Sequence, residues 1–170
     1  MDDCGVCDGD GISCLASLSL GSFDSSGSLE VLYDFGGPVA GFQFDVTGLA
    51  LTGGSGGAAG GAGLTVSAGG SATVLGFSMT NSEIAAGDGV LTVLSFSGVT
   101  AGTTSLSLGN FGAVTDAQGN VYTTTASGDI NHGDPDCAGT YYGDAEDLAC
   151  GCNDADSCND CAGVPNGSSE

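Results

Sequence analysis

Residues 39–48 read VAGFQFDVTG, and the strict alternation places Phe42, Phe44 and Val46 on one side of an extended strand and Gln43 and Asp45 on the other. The two rings are the largest apolar groups in any strict alternation of the chain. They seed a core that neighbouring strands must cover. This stretch requires a half-buried sheet.

The surrounding residues supply those neighbours. Short β-branched or aromatic runs bounded by turn residues predict strands over 17–23, 28–34, 39–47, 49–52, 64–68, 73–79, 89–97, 104–108 and 121–125. Leu29, Val31 and Tyr33 share one face of the second. In the run 89–97, Leu91, Val93 and Ser95 oppose Val90, Leu94 and Phe96, so it is apolar on both sides and belongs in the middle of a sheet. About nine strands at this spacing predict an all-β fold, an antiparallel β-sandwich or jelly roll. Residues 82–86 offer the only plausible helical turn. The segment 53–63, GGSGGAAGGAG, reads as a flexible loop. It contains G-x-S-x-G at Gly53, Ser55 and Gly57, and G-x-G-x-x-A from Gly54. With no helix expected to follow, neither a nucleophile elbow nor a dinucleotide site is expected.

The chain has no Lys or Arg against 21 Asp and Glu, a formal charge of −21 over 170 residues. Only His132 can offer a carboxylate a side-chain cation, so the counter-charge must come from solution. Such an excess repels nucleic acid and anionic membranes and favours divalent cations. No run is apolar enough to insert into a membrane.

Fourteen of the 21 acidic residues and all eight cysteines lie in two end segments, 1–14 and 129–170, which flank a domain over 15–128. Cys4, Cys7 and Cys14 precede that domain; Cys137, Cys150, Cys152, Cys158 and Cys161 follow it. Without histidine partners they read as disulfide staples of an extracellular or cell-surface protein. An odd number on each side requires a bridge between the ends of one chain or between chains. Alternating acidic and amide side chains in Gly-rich loops suit Ca²⁺, which gives Asp8, Asp10, Asp129, Asn131, Asp134, Asp136, Asp154, Asp156 and Asp160 as candidate ligands. His132, in NHGDPD, reads as a turn residue. Asn166, in N-G-S, is a glycosylation acceptor sequence. The tetrapeptide DCAG occurs at 136–139 and again at 160–163, and the opening DDCGVCDGDG is of the same style. Joined end to start, two copies would read on without a break, so the chain is expected to be one period of a longer array, or a subunit meeting neighbouring copies head to tail. It lacks a signal-peptide pattern and reads as a mature piece or excised module.

Residues 28–33 (SLEVLY), 41–46 (GFQFDV), 89–96 (GVLTVLSF) and 104–109 resemble the cohesin domain family of bacterial extracellular proteins. The resemblance spans roughly residues 15–128. It implies a jelly-roll sandwich that binds a protein, a dockerin-type partner in that family, and performs no chemistry. Residues 3–11 and 154–163 look like the Asp- and Cys-rich calcium-binding repeats of the thrombospondin type 3 kind, and GDIN at 128–131 is similar to the start of a dockerin calcium loop.

Two functions follow. The first is an extracellular structural module of a fibre, stalk or surface layer, joined through disulfide-stapled calcium-binding ends. The second is a cohesin-like receptor, which an exposed apolar patch on the sandwich would favour. An enzyme is not expected. With one histidine and no Lys or Arg, only a carboxylate set such as Glu30, Asp34 and Asp45 could serve, and those residues suit the solvent faces of strands.

Overall fold

A computed structural model describes residues 15–145 and the backbone of two further short strands, Asp147–Leu148 and Gly151–Cys152. The chain divides into two compact units, Met1–Asn131 and His132–Glu170.

The first unit is a two-sheet β-sandwich. Its strands are β1 (Leu15–Asp24), β2 (Ser28–Phe35), β3 (Gly41–Thr47), β4 (Leu49–Ser55), β5 (Thr65–Ala68), β6 (Thr73–Phe77), β7 (Gly87–Val99), β8 (Thr103–Ser107), β9 (Ala113–Thr115), β10 (Thr123–Ala126) and β11 (Asp129–Asn131). One sheet runs β10-β1-β2-β7-β4; the other runs β11-β8-β3-β6-β5, with β9 pairing β3. All pairings are antiparallel except β1 with β10. Successive strands repeatedly change sheets, as at β2 to β3, β3 to β4 and β7 to β8. This wraps the chain around one core in the manner of a jelly roll.

Phe42, Phe44 and Val46 all point into that core, and the two rings stack with centroids 5.8 Å apart. They face Leu18, Leu29, Val31, Leu94 and the rest of a continuous apolar cluster. Among the described residues, no buried side-chain nitrogen or oxygen lacks a hydrogen-bond partner. The satisfied interior spares the fold the cost of an orphaned polar group.

Several details differ from the sequence reading. Strands β9 and β11 are additional; three-residue runs such as AVT and DIN are too short to show periodicity. Residues 129–131, read as the start of the C-terminal segment, join β8. In β7, Leu91, Thr92, Leu94 and Phe96 all face inward and Val93 and Ser95 outward. The register against β2 shifts between Val31 and Leu32, which places the extra residue Leu91 in a bulge and lets two successive side chains enter the core. β7 still pairs on both sides, with β2 and β4.

Residues 82–86 form no helix; Ile84 instead bridges Val39 and is buried. Nor is the glycine-rich segment a featureless loop. It completes β4 and then forms a short helix, α1 (Gly57–Gly61), whose Ala59 is fully buried. Small residues permit this because the turn lies against the backbone of Leu91 and Thr92. Among the described residues, no helix is long and apolar enough to cross a membrane.

Asp34 on β2 lies directly opposite Asp88 on β7, and both are exposed. A like-charge pair at this position opposes folding, and this chain has no Lys or Arg to relieve it. Asp88→Lys is expected to stabilise the sandwich by about 0.5–1 kcal/mol in low salt, a gain that shrinks at about 1 M salt. Urea denaturation at both ionic strengths checks this; no gain in low salt contradicts it.

Candidate interaction face

The alternation that buries Phe42, Phe44 and Val46 obliges Gly41, Gln43 and Asp45 to face outward on the six-stranded sheet. The β6 sequence TVLGF buries Val74 and Gly76 and turns Leu75 and Phe77 outward. Cross-strand register then sets Leu75 beside Gln43, and Phe77 beside Gly41. On the other flank of β3, Ala113 pairs with Gln43 and Thr115 with Gly41. Because Gly41 has no side chain, a groove of about 280 Å³ opens above it, lined by Gln43, Leu75, Phe77, Phe111 and Thr115.

The floor of this groove depends on a second glycine. A Cβ at Gly76 would overlap the Phe42 ring beneath it. The absence of one leaves room for the ring beneath β6.

Two carboxylates near β3 and β9 are held by hydrogen bonds. Thr73 Oγ1 donates to Asp45 Oδ1 at 3.0 Å, and the N–H of Ala117 donates to Glu83 Oε2 at 3.1 Å. Beyond Thr115, Asp116 organises its own turn. Its Oδ1 accepts the N–H groups of Gln118 and Asn120 at 2.9 and 2.8 Å, and its Oδ2 accepts Asn120 Nδ2 at 2.8 Å. Partial burial pushes this carboxyl up, but the hydrogen bonds from Asn120, Gln118 and Gly119 prevail and hold it below its ordinary value.

Tyr122 anchors the same end. It is buried, and its hydroxyl donates to the Pro38 carbonyl at 2.5 Å. Burial first, then the negative charges of Asp116 and Glu83, push its pKa up to about 12. A raised phenol pKa means that the folded state keeps a proton the unfolded chain releases above about pH 10. The associated stability is present below that pH and is lost as pH rises towards 12. One of the four tyrosines should therefore ionise late in a phenolate absorbance titration, and Tyr122→Phe should remove that late step. Four coincident titrations would contradict the assignment.

The residues singled out from sequence fall elsewhere. Asp8, Asp10, Asp154, Asp156, Asp160, Asn166, Cys4, Cys7, Cys14, Cys150, Cys158 and Cys161 lie outside the described residues, as does the side chain of Cys152. Asp129 and Asn131 are exposed at the two ends of β11. In the second unit, Asp134 is exposed. Asp136 holds a turn: its Oδ1 accepts the N–H groups of Ala138 and Thr140 at 3.0 and 2.8 Å, and its Oδ2 that of Ala145 at 3.1 Å. Donation from Thr140 is the largest influence; burial opposes it, and further donation from Ala145, Ala138 and Gly139 helps to hold the pKa below its ordinary value. Among the described residues, no three His, Cys, Asp or Glu side chains converge as a metal site.

Cys137 is disulfide-bonded. His132 is buried, with Nδ1 2.6 Å from the Tyr142 hydroxyl and its ring edge-on to Tyr141 and Tyr142. Burial lowers its pKa.

The carboxylates considered for catalysis are not assembled. Glu30 and Asp34 belong to β2 in the five-stranded sheet, whereas Asp45 lies on β3 in the other. Ser55 of the G-x-S-x-G triplet ends β4, where its carbonyl accepts the Thr92 hydroxyl at 3.2 Å.

The groove residues Leu75, Phe77 and Phe111 were not singled out from sequence. A signal was present in TVLGF, where Leu75 and Phe77 share the face opposite Val74 and Gly76. The loop residue Phe111 belongs to no strand pattern.

No family model matches the chain, and no curated protein matches it. Its backbone is similar to that of solved cohesins. A non-cellulosomal cohesin from the hyperthermophilic archaeon Archaeoglobus fulgidus has a TM-score of 0.48 at 17% identity, covering 68% of this chain and 89% of that one. The sixth cohesin of scaffoldin B from Acetivibrio cellulolyticus, in complex with a mutant Cel5 dockerin, gives 0.48 and 17% over 68% of this chain and 96% of that one. A type I cohesin–dockerin complex from Clostridium thermocellum, Coh-OlpA with Doc918, gives 0.47 and 16% over 69% and 98%.

Proposed function

We propose that this chain is an extracellular protein-binding module that performs no chemistry and docks a folded partner on the outer face of its six-stranded sheet. The observation supporting this most is the set of large apolar groups left in solvent there. Leu75 is 40% exposed, Phe77 36% and Phe111 81%, and all three line one groove. Met79, also 81% exposed, follows two residues after Phe77. Exposed apolar groups gathered around a groove mark an interaction surface, where scattered ones would not. The cohesin-like segments SLEVLY, GFQFDV and GVLTVLSF name a dockerin-like domain as the partner to try.

Titration calorimetry against a panel of dockerin domains tests the reading. The paired substitutions Phe77→Ser and Phe111→Ser should weaken binding by about 30-fold or more, the loss expected of central apolar anchors. Thermal stability should barely change, because both rings are outside the core. Binding that survives both substitutions would refute this docking face.

A second reading, a structural module joined head to tail, draws on the repeated DCAG and on the disulfide at Cys137. In it the Asp-rich ends bind Ca²⁺ and meet neighbouring copies. Light scattering of native material with and without chelator and reductant separates the readings. Long particles shortened by either reagent support assembly through the ends, and a monomer under all conditions leaves the docking module.

A further inference from the structure

The outer face of the five-stranded sheet has grooves of its own. Two of them, of about 250 and 330 Å³, meet at Ser17 and Asp34. Strand register draws a straight row through that point: Thr125 of β10 pairs with Ser17 of β1, Ser17 with Asp34 of β2, and Asp34 with Asp88 of β7. Ala16, Leu18 and Phe35 beside them are buried, so the row points outward. Four strands spaced about 4.8 Å apart give it a length of about 14 Å. Two residues further along their strands, Leu32 and Val90 form a parallel apolar row.

The two carboxylates of this row differ from most others on the sandwich. Asp24, Glu30, Asp45, Glu83 and Asp116 each accept a hydrogen bond from the chain. The side chains of Asp34 and Asp88 accept none among the described residues, and the Ser17 and Thr125 hydroxyls donate none. A carboxylate only accepts, so whatever lies here must bring donors. Two like charges face to face favour donors that are positively charged. A second copy of the chain, or its own end segments, would bring carboxylates and no Lys or Arg. A bare metal ion is a poor fit, because Ca²⁺ takes about six to eight oxygens and no third His, Cys, Asp or Glu joins the pair among the described residues. A guanidinium fits better. Its planar fork of donors can serve two carboxylates on adjacent strands, whose Cα atoms lie roughly 5 Å apart.

We infer that this groove holds an arginine side chain from an extended segment of another protein, with the guanidinium between Asp34 and Asp88 and the methylene stem on Leu32 and Val90. Ser17 and Thr125, next in the row, donate to main-chain carbonyls of that segment. The site lies on the other sheet from the docking groove and does not depend on it. One module would then engage two partners, one on each face.

Fluorescence anisotropy with the full chain tests this, using a labelled short Thr- and Val-rich peptide with one central Arg, and the same peptide with citrulline, which keeps the shape and loses the charge. The Arg peptide should bind at least about tenfold more tightly. Asp34→Asn with Asp88→Asn should cut its affinity by about tenfold. Asp24→Asn with Asp129→Asn, which changes net charge equally outside the groove, should change it by less than about twofold at physiological salt. Asp88→Lys should abolish binding in a chain that stays folded by circular dichroism, because the new ammonium takes the guanidinium's place beside Asp34. Phe77→Ser with Phe111→Ser should leave binding intact, which separates this site from the docking face. Equal binding of the citrulline peptide, or equal losses in the two pairs of Asp→Asn variants, would overturn the inference. So would free arginine competing at the same concentration as the peptide, which would assign the groove to a small cation. Displacement of the peptide by a neutral oligosaccharide would assign it to a glycan and overturn the inference as well.

Discussion

Phe44→Ala should lower the unfolding free energy by about 3–5 kcal/mol, a large share of the roughly 5–15 kcal/mol that holds a domain together. Phe44 is fully buried at the middle of β3, opposite Val74 of β6 and stacked on Phe42. Truncation removes the ring's transfer free energy and leaves a cavity between two sheets, whose hydrogen-bonded backbones cannot close far around it. The melting temperature should fall by roughly 10–20 °C. Gln43→Ala, one residue away on the solvent side, should stay within about 0.5 kcal/mol. Urea denaturation of both variants checks the contrast. A loss below about 1 kcal/mol for Phe44→Ala would show that this strand is not the centre of the core.

Gly76→Val should cost about 2–3 kcal/mol even though Val is the better strand former. The new Cβ would fall within the Phe42 ring, and that ring cannot retreat because the apolar cluster fills the space below it. A double-mutant cycle isolates the cause. In a Phe42→Ala background the ring is gone, and Gly76→Val should cost at least about 1 kcal/mol less than in the parent chain. Strictly additive losses would mean that Gly76 is required for a reason other than the ring. The substitution also bears on the interaction face, because displacing Phe42 moves the floor between Gly41 and Phe77.

These two experiments fall on residues of unequal visibility. Phe44 declares its burial in one dimension: an extended strand sends alternate side chains to opposite faces, and GFQFDV alternates without interruption. The same period-2 rule exposes most of the strands and the two-sheet class. It is blind to Leu91, where a bulge sends two successive residues inward, and to β9 and β11, whose three residues carry no measurable period. It also misjudges 53–63. A Gly- and Ala-rich run looks flexible by composition, but the backbone of β7 beside it makes small residues the ones that fit. Gly76 is equally unremarkable in sequence, since the ring that demands it lies on another strand.

The candidate face divides in the same way. Its charge environment follows from composition alone, because a chain without Lys or Arg presents acidic surroundings however it folds. That the fold is a β-sandwich with Phe42, Phe44 and Val46 inside was likewise determined by the residue pattern. The groove was decided only by tertiary structure. Gly41, Leu75, Phe77, Phe111 and Thr115 come from three separated segments, and strand register and a loop make them neighbours. Register depends on which strands pair and where their bulges fall, a property of long-range hydrogen bonding that no local window of sequence contains.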